Sequence, residues 1–209
     1  MKQRVRVLVE GGDDAHFVHH FVNATLQREI KVDQCGSLEK LLAIAATHVS
    51  KESPVDLLVV ICDADANPAQ RWKEIRQSLT EAYVPESPVP NGLIADFSRQ
   101  QKLAIWMMPN NGGPGAIEDF LAEIRVRNER QSVLAIHAKN SLAAIQANDR
   151  LFAAKDESKA ELRTWLAWQK EPGAPFGLAV NLGCFDLEHA SANRFAAWFR
   201  RALDSIRYQ

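Results

Sequence analysis

The sequence predicts an α/β protein: a small, mainly parallel sheet with helices on both faces, followed by a mostly helical C-terminal extension. Segment 55–62 (VDLLVVIC) is apolar on both faces apart from Asp56, as a central parallel strand is when helices cover both sides of the sheet. Strand-like and helix-like segments alternate up to about residue 127, which is typical of parallel α/β architecture. Beyond Ser132 the pattern is helical. Residues 1–130 are therefore expected to form the α/β domain, and residues 131–209 to pack on it.

The first elements follow from local signals. The β-branched run at 5–9 (VRVLV) predicts a strand that ends at a Glu-Gly-Gly turn. Asp13 is the expected N-cap of the first helix, because apolar residues recur behind it at helical spacing. A short strand is expected at 30–32, and Ser37 is the expected N-cap of the second helix.

The remaining elements are separated by Pro- and Gly-rich stretches. The third helix is expected to begin near Ala69, and the Pro-rich stretch 83–92 is expected to be a loop. A loop rich in Gly, Asn and Pro at 109–115 then precedes another helix. The strands predicted here are 93–97 and 103–108, and the helices are 116–127, 132–147, 158–169 and 193–206, with a Pro/Gly break at 171–177.

Composition narrows the functional classes. The 209 residues are 46% hydrophobic and 24% charged, which is ordinary for a globular chain with a sizeable core. The formal net charge of −1 gives no general attraction for nucleic acid. Three cysteines without a CxxC pair argue against a disulfide framework or structural zinc and favour the cytoplasm. No apolar run approaches the roughly 18 residues needed to span a membrane.

Acidic side chains follow two of the predicted strands, where α/β folds place their chemistry. Glu10 ends the first strand, and Asp63 and Asp65 follow the long apolar strand. Residues two apart in an extended segment point to the same side, so Asp63 and Asp65 are expected to face one ion. Glu10 joins them if its strand is the neighbour. Clustered carboxylates repel one another unless a cation neutralises them. Mg²⁺, with Mn²⁺ as an alternative, suits such oxygen ligands.

The same residues resemble the Toprim domain of topoisomerases, bacterial primases and overcoming-lysogenization-defect nucleases. The resemblance rests on Glu10 followed by Gly11 and Gly12, on Asp14 four residues after the Glu, and on the Asp-x-Asp strand end at 63–65. It covers roughly residues 5–127. The stretch 159–173 is similar to the tail of a compact, uncharacterised bacterial Toprim-related family.

The resemblance implies roles for these residues. Glu10 would be the acid or base, or a bridging ligand, while Asp63 and Asp65 hold Mg²⁺ and Asp14 helps to hold a second ion. No catalytic-tyrosine module and no Walker A loop is evident, which argues against a topoisomerase. Further candidates for phosphate contacts or a second site lie in the Gly-rich turns, in the helix after the second turn and in the C-terminal part: Gly11, Gly12, Gly113, Gly115, Glu118 and Lys159.

The preferred function is Mg²⁺-dependent phosphoryl transfer on nucleic acid, most simply phosphodiester hydrolysis. One alternative is a non-catalytic Toprim-derived module that binds a nucleotide, a metal or a protein partner. A further alternative is a hydrolase of small phosphorylated molecules or nucleotides. A basic surface converging on Glu10 would favour the nuclease. An enclosed, nucleotide-sized pocket would favour the small-molecule enzyme. Carboxylates paired with arginines would favour the binding module.

Overall fold

The computed structural model describes residues 4–49, 54–79, 82–97 and 101–206. The protein is α/β, with a mostly parallel five-stranded sheet of order β2-β1-β3-β5-β4 in the described residues. Only the edge strand β4 is antiparallel to its neighbour. The strands are β1 (Val5–Val9), β2 (Val32–Gln34), β3 (Leu57–Asp63), β4 (Leu93–Asp96) and β5 (Lys102–Met108).

Eight α-helices lie within those described ranges and cover both faces of the sheet. The central strand β3 alternates between the two faces: Leu57, Val59 and Ile61 contribute to one buried cluster, and the residues between them contribute to the other. Helices α2 and α3 cover the second cluster, and the other helices cover the first. The helices are α1 (Gly12–Leu26), α2 (Leu38–His48), α3 (Pro68–Leu79), α4 (Ile117–Glu123), α5 (Glu129–Ala144), α6 (Glu157–Leu166), α7 (Phe176–Asn181) and α8 (Ala190–Asp204).

Several predicted boundaries shift in the structure. The N-cap of α1 is Gly11 rather than Asp13, because the helix follows the Glu-Gly turn directly. Strand β2 begins at Val32 and not at residue 30, whereas the predicted Ser37 cap is confirmed by the bond from the Lys40 N–H to its hydroxyl. Helix α4 is shorter than expected, and α7 begins inside the stretch assigned to a break.

The C-terminal extension shares the core of the α/β part. Helix α8 places Phe195 and Trp198 against Trp106 of β5, with ring centroids 5.1 and 5.2 Å from the Trp106 ring. The indole N–H of Trp198 donates to the Leu93 carbonyl at 3.1 Å. Gly92 leaves room for this indole, because a Cβ there would lie 2.3 Å from it. Among the described helices, none is long and apolar enough to cross a bilayer.

Candidate metal centre

Glu10 and Asp63 meet because their strands are parallel neighbours. Val9 of β1 pairs with Ile61 of β3, so both strands end at the same edge of the sheet. The Glu10 carboxylate accepts a hydrogen bond from the Asp63 backbone N–H at 3.0 Å. The predicted approach of these two residues is confirmed, and this bond fixes the Glu10 side chain across the gap between the strands.

Asp14 joins them through the turn that begins α1. Its carboxylate accepts a hydrogen bond from the Gly11 N–H at 2.7 Å, which ties the first turn of the helix to the end of β1. Gly12 packs against the adjacent edge strand, where a Cβ would lie 2.7 Å from the Gln34 side-chain oxygen. Gly12 therefore allows the start of α1 to approach β2, and the bond to the Gly11 N–H holds Asp14 at the end of the sheet.

Asp63 and Asp65 reach the site by different backbone paths. The Asp63 carboxylate accepts the Ile117 N–H, at the start of α4, at 3.0 Å. Asp65 has φ +51°, so the extended alternation expected for this pair is wrong. Its backbone instead forms a two-way bridge with Gly115. The Asp65 side chain is 62% exposed and pairs with Arg71.

Glu118 and Lys159 form an ion pair at the rim. Glu118 is only 6% exposed, although it is an acidic residue in the first turn of α4. Its carboxylate lies 3.1 Å from the Lys159 ammonium, whose side chain is half exposed. The neighbouring turns are held by Asp119, which accepts from the Ala116 N–H at 2.8 Å and from the Ser158 hydroxyl at 2.6 Å. The start of α6 is thereby attached to the start of α4.

Three candidate glycines of the Gly-rich turns, Gly11, Gly113 and Gly115, have their backbone N–H groups bonded within the protein. The Gly113 N–H donates to the Asn110 side chain at 2.7 Å, and the Gly115 N–H donates to the Asp65 carbonyl at 2.8 Å. The Gly11 N–H is taken by Asp14. Gly115 is required for the turn because its φ is +128° and a Cβ would lie 2.7 Å from the Asp119 carboxylate. For these three glycines, the expected phosphate contact is replaced by internal bonds that shape the site.

Burial and mutual repulsion oppose the ionisation of the acidic side chains. Burial raises the pKa of Asp63 to about 9, and repulsion from Asp14, Glu10 and Glu118 adds to this effect. Burial also raises the pKa of Asp14 to about 6, against the opposing Gly11 hydrogen bond. The pKa of Glu10 is raised by burial as well, although the Asp63 N–H and Arg71 oppose the change.

Lys159 is the positive counterpart of this cluster. Burial lowers its pKa, but the attraction of nearby carboxylates, Glu118 first, outweighs burial and raises the pKa overall. The side chain therefore stays charged at neutral pH, beside a set of partly protonated acids.

A cleft of about 230 Å³ lies among these groups, although Glu10 is not part of its lining. Asp14, Asp63, Asp65 and Glu118 line it, and we call it the acidic cleft. Sequence reasoning did not anticipate the other contributors: Lys155, Asp156 and Ser158 before and within α6, and Arg71 beside Asp65. These residues lie at the site through tertiary packing, and no local pattern marks them.

The donor set fits a hard divalent cation. Carboxylate oxygens are the side-chain ligands that Mg²⁺ prefers. Burial and then mutual repulsion raise the pKa of Asp63 and of Asp14, and a bound cation would favour the ionised form of both. In the described part of the chain, no three His, Cys, Asp or Glu side chains are already arranged to hold a metal ion. The carboxylates would therefore have to turn toward a shared ion.

Fold and site together define an α/β protein with an acidic cleft at the carboxyl edge of a mostly parallel sheet. The chain belongs to the family described as "Protein of unknown function (DUF3226)", whose model matches residues 4–204. No curated protein and no solved structure matches the chain.

Proposed function

We propose that this is a Toprim-type, Mg²⁺-dependent phosphoryl-transfer protein that acts on nucleic acid, most simply by phosphodiester hydrolysis. The observation that carries the proposal is the convergence of Glu10, Asp14 and Asp63 at one sheet edge, with Glu118 beside them. Carboxylates gathered in this way destabilise the ion-free protein, because each opposes the ionisation of the others. A bound cation would remove this repulsion, so a cation-dependent function accounts for the clustering of the carboxylates.

Asp63, Asp14 and Glu10 are the residues that would hold the ion, with Asp65 able to join if it leaves Arg71. A bound Mg²⁺ would polarise a phosphate and stabilise the charge that develops during transfer. Glu10 has the role of general base or water-positioning group. Its raised pKa favours that role, because a base is most effective when its pKa approaches the working pH.

Lys159 adds a fixed positive charge at the rim of the acidic cleft. Its ammonium is anchored by buried Glu118 but half exposed, so it remains accessible to an anionic substrate. A preorganised cation of this kind stabilises negative charge in a transition state. Since Lys159 belongs to the C-terminal extension, that extension is part of the proposed site.

The small size of the acidic cleft favours a polymer over a small substrate that is enclosed whole. Pockets that enclose small ligands have volumes of about 300–1,000 Å³, and this cleft of about 230 Å³ is smaller. It suits one phosphate group with the rest of the substrate outside. The three cysteines are unpaired, which supports the proposed cytoplasmic location.

A non-catalytic binding module is the second candidate, because two carboxylates at the acidic cleft are already paired with arginines. Asp65 pairs with Arg71, and Asp13 pairs with Arg163 of α6. Such pairs neutralise ligands that a metal would otherwise recruit. The two candidates differ in one respect: an enzyme cleaves a phosphodiester, whereas a module binds its ligand unchanged.

The first experiment is a calorimetric titration of Mg²⁺ and Mn²⁺ into the wild type and into Asp63→Asn and Asp65→Asn variants. Asp96→Asn is the matched control, because this exposed carboxylate pairs with Lys102 at the opposite end of the sheet. We expect Asp63→Asn to abolish binding, Asp65→Asn to weaken it and Asp96→Asn to leave it unchanged.

The second experiment is a cleavage screen with single-stranded, double-stranded and nicked DNA in Mg²⁺ or Mn²⁺. Cleavage that requires Glu10 and Asp63 would support the enzyme. Metal binding without cleavage would favour the binding module. Metal binding unaffected by Asp63→Asn would contradict the proposed site.

A further inference from the structure

A second cleft, of about 610 Å³, opens beside α1. We call it the histidine cleft, because His16, His19 and His20 line it together with aliphatic side chains that include Ile30 and Val32. Its volume falls within the range of about 300–1,000 Å³ that is typical of sites for small organic groups. The metal proposal uses none of these residues.

The histidine cleft and the acidic cleft are both lined by residues on one face of α1. Gly12 lines the acidic cleft, and His16 and His19 follow it on α1 at positions i+4 and i+7. Residues at this spacing lie on the same face of a helix. Seven residues cover roughly 10 Å along the helix axis, a distance that one nucleotide unit can bridge. A substrate whose phosphate occupies the acidic cleft can therefore extend along this face.

The hydrogen bonds of His19 and His20 leave one ring nitrogen of His19 free to accept a hydrogen bond and one ring nitrogen of His20 free to donate one. The Nδ1 of His19 lies 2.8 Å from the Ile30 carbonyl, which can only accept, so Nδ1 carries the proton and Nε2 is left as an acceptor. The Nδ1 of His20 accepts from the Asn181 amide at 3.0 Å, so Nε2 of the neutral ring carries the proton. The two imidazoles are neighbours, with ring centroids 5.1 Å apart.

Helix α7 holds His20 in place. Gly177 packs directly on α1, where a Cβ would lie 2.4 Å from the His20 ring and 2.6 Å from the His16 carbonyl. Asn181 of the same helix supplies the bond to His20. Burial, together with the neighbouring imidazoles, lowers the pKa of His20 and keeps its ring neutral. A rigid, neutral donor matches a neutral polar ligand better than an anion.

We infer that the histidine cleft binds an unpaired nucleobase adjoining the phosphate in the acidic cleft, so that the substrate is single-stranded nucleic acid. Nucleobase edges place donors and acceptors side by side; adenine, for example, offers an N6 donor next to an N7 acceptor. The aliphatic wall and the imidazole rings supply surfaces for stacking, as in other proteins that bind single strands. This inference rests on the proposed function, because the acidic cleft must take the phosphate.

Two other ligands fit the histidine cleft less well. A transition-metal site needs several convergent ligands, but among the described residues no group of three or more His, Cys, Asp or Glu side chains is placed to hold a metal ion. An isolated phosphate needs several convergent positive charges, but the lining of this cleft has a single cationic side chain, Lys31, which extends into solvent and pairs with Asp33 at 3.1 Å. The donor and the acceptor that these hydrogen bonds leave free match the edge of a nucleobase.

The test is fluorescence anisotropy with a labelled, cleavage-resistant phosphorothioate DNA strand of about ten nucleotides, in Mg²⁺. The same strand is also offered as a duplex and in an abasic form that keeps the phosphates. The variants are His16→Ala, His19→Ala and His20→Ala. His137→Ala is the matched control, because this imidazole lies on α5, where it contacts Trp168. His16 is exposed and has no side-chain hydrogen bond within the described residues, so His16→Ala keeps the test meaningful if another variant fails to fold.

We expect the wild type to bind the single strand about tenfold more tightly than the abasic strand, since stacking on each base contributes about 1–3 kcal/mol. Each cleft variant should lose roughly that factor with the base-containing strand and nothing with the abasic strand, while His137→Ala matches the wild type. Equal binding of intact, abasic and duplex DNA, or folded cleft variants that bind normally, would overturn the inference. If cleavage still depends on Asp63 in that case, the proposed function stands; absence of both binding and cleavage would remove both.

Discussion

Replacing Asp63 by Asn is expected to stabilise the ion-free protein. The pKa of this carboxyl is about 9 in the folded protein, against an ordinary value of about 3.9 in an unfolded chain. The folded state therefore binds more protons than the unfolded state between these values, and stability falls as pH rises through this window. At pH 7 the loss reaches at most about 4 kcal/mol, from about three pH units at 1.36 kcal/mol each.

An Asn side chain removes that loss, because it cannot ionise and can still accept the Ile117 N–H. We expect Asp63→Asn to raise the free energy of unfolding by roughly 1–4 kcal/mol at pH 7 in EDTA, with the gain shrinking toward pH 4. Urea unfolding followed by tryptophan fluorescence measures the free energy of unfolding at each pH, because Trp106 and Trp198 are buried in the core.

Added Mg²⁺ should offset most of this difference. An ion present at a hundred times its dissociation constant stabilises the folded protein by about 2.7 kcal/mol, and only the wild type should gain this. Asp96→Asn, at the opposite sheet edge, should change stability by less than about 0.5 kcal/mol and keep the Mg²⁺ effect. An Asp63→Asn protein that is less stable than the wild type at pH 7, or that gains equally from Mg²⁺, would refute the reasoning.

Three further predictions concern side chains around the site and the core. Gly92→Ala should destabilise the protein by more than about 1 kcal/mol in urea unfolding, because φ is +76° and the new Cβ would meet the Trp198 ring; unchanged stability would contradict the packing. Lys159→Met should cost about 1–3 kcal/mol because it leaves the buried Glu118 carboxylate unpaired, and Lys159→Arg should restore most of this; equal losses in both would argue against the ion pair. Arg71→Gln should tighten Mg²⁺ binding roughly fivefold in calorimetry, because it removes a nearby positive charge whose repulsion of the ion is worth about 1 kcal/mol. Weaker binding would instead show that Arg71 orders the site.

The sequence predicted the sheet because strand and helix periodicities are local. The apolar run of β3 required burial on both faces, and the structure places its alternate residues in the two clusters. The meeting of Glu10 and Asp63 was predictable as well, since parallel strands end at a common edge.

The details around that edge were not predictable. Asp65 leaves the strand through a left-handed conformation because its backbone bridges Gly115, a residue fifty positions away. No periodicity near Asp65 reports that contact. The pairing of Asp65 with Arg71, six residues further along the chain, was also not anticipated, although such a pair had been identified as a mark of the binding module.

The sequence by itself therefore determined the layered α/β core and the meeting of Glu10 and Asp63 at its edge, because backbone geometry and burial act over a few residues. Tertiary structure alone decided that Lys155, Asp156 and Ser158 join the candidate Lys159 at the acidic cleft, and that α7 holds His20. Ser158 meets Asp119, and Asn181 meets His20, across long stretches of chain. Contacts of that kind depend on how whole helices pack, so a local pattern of residue types does not predict them.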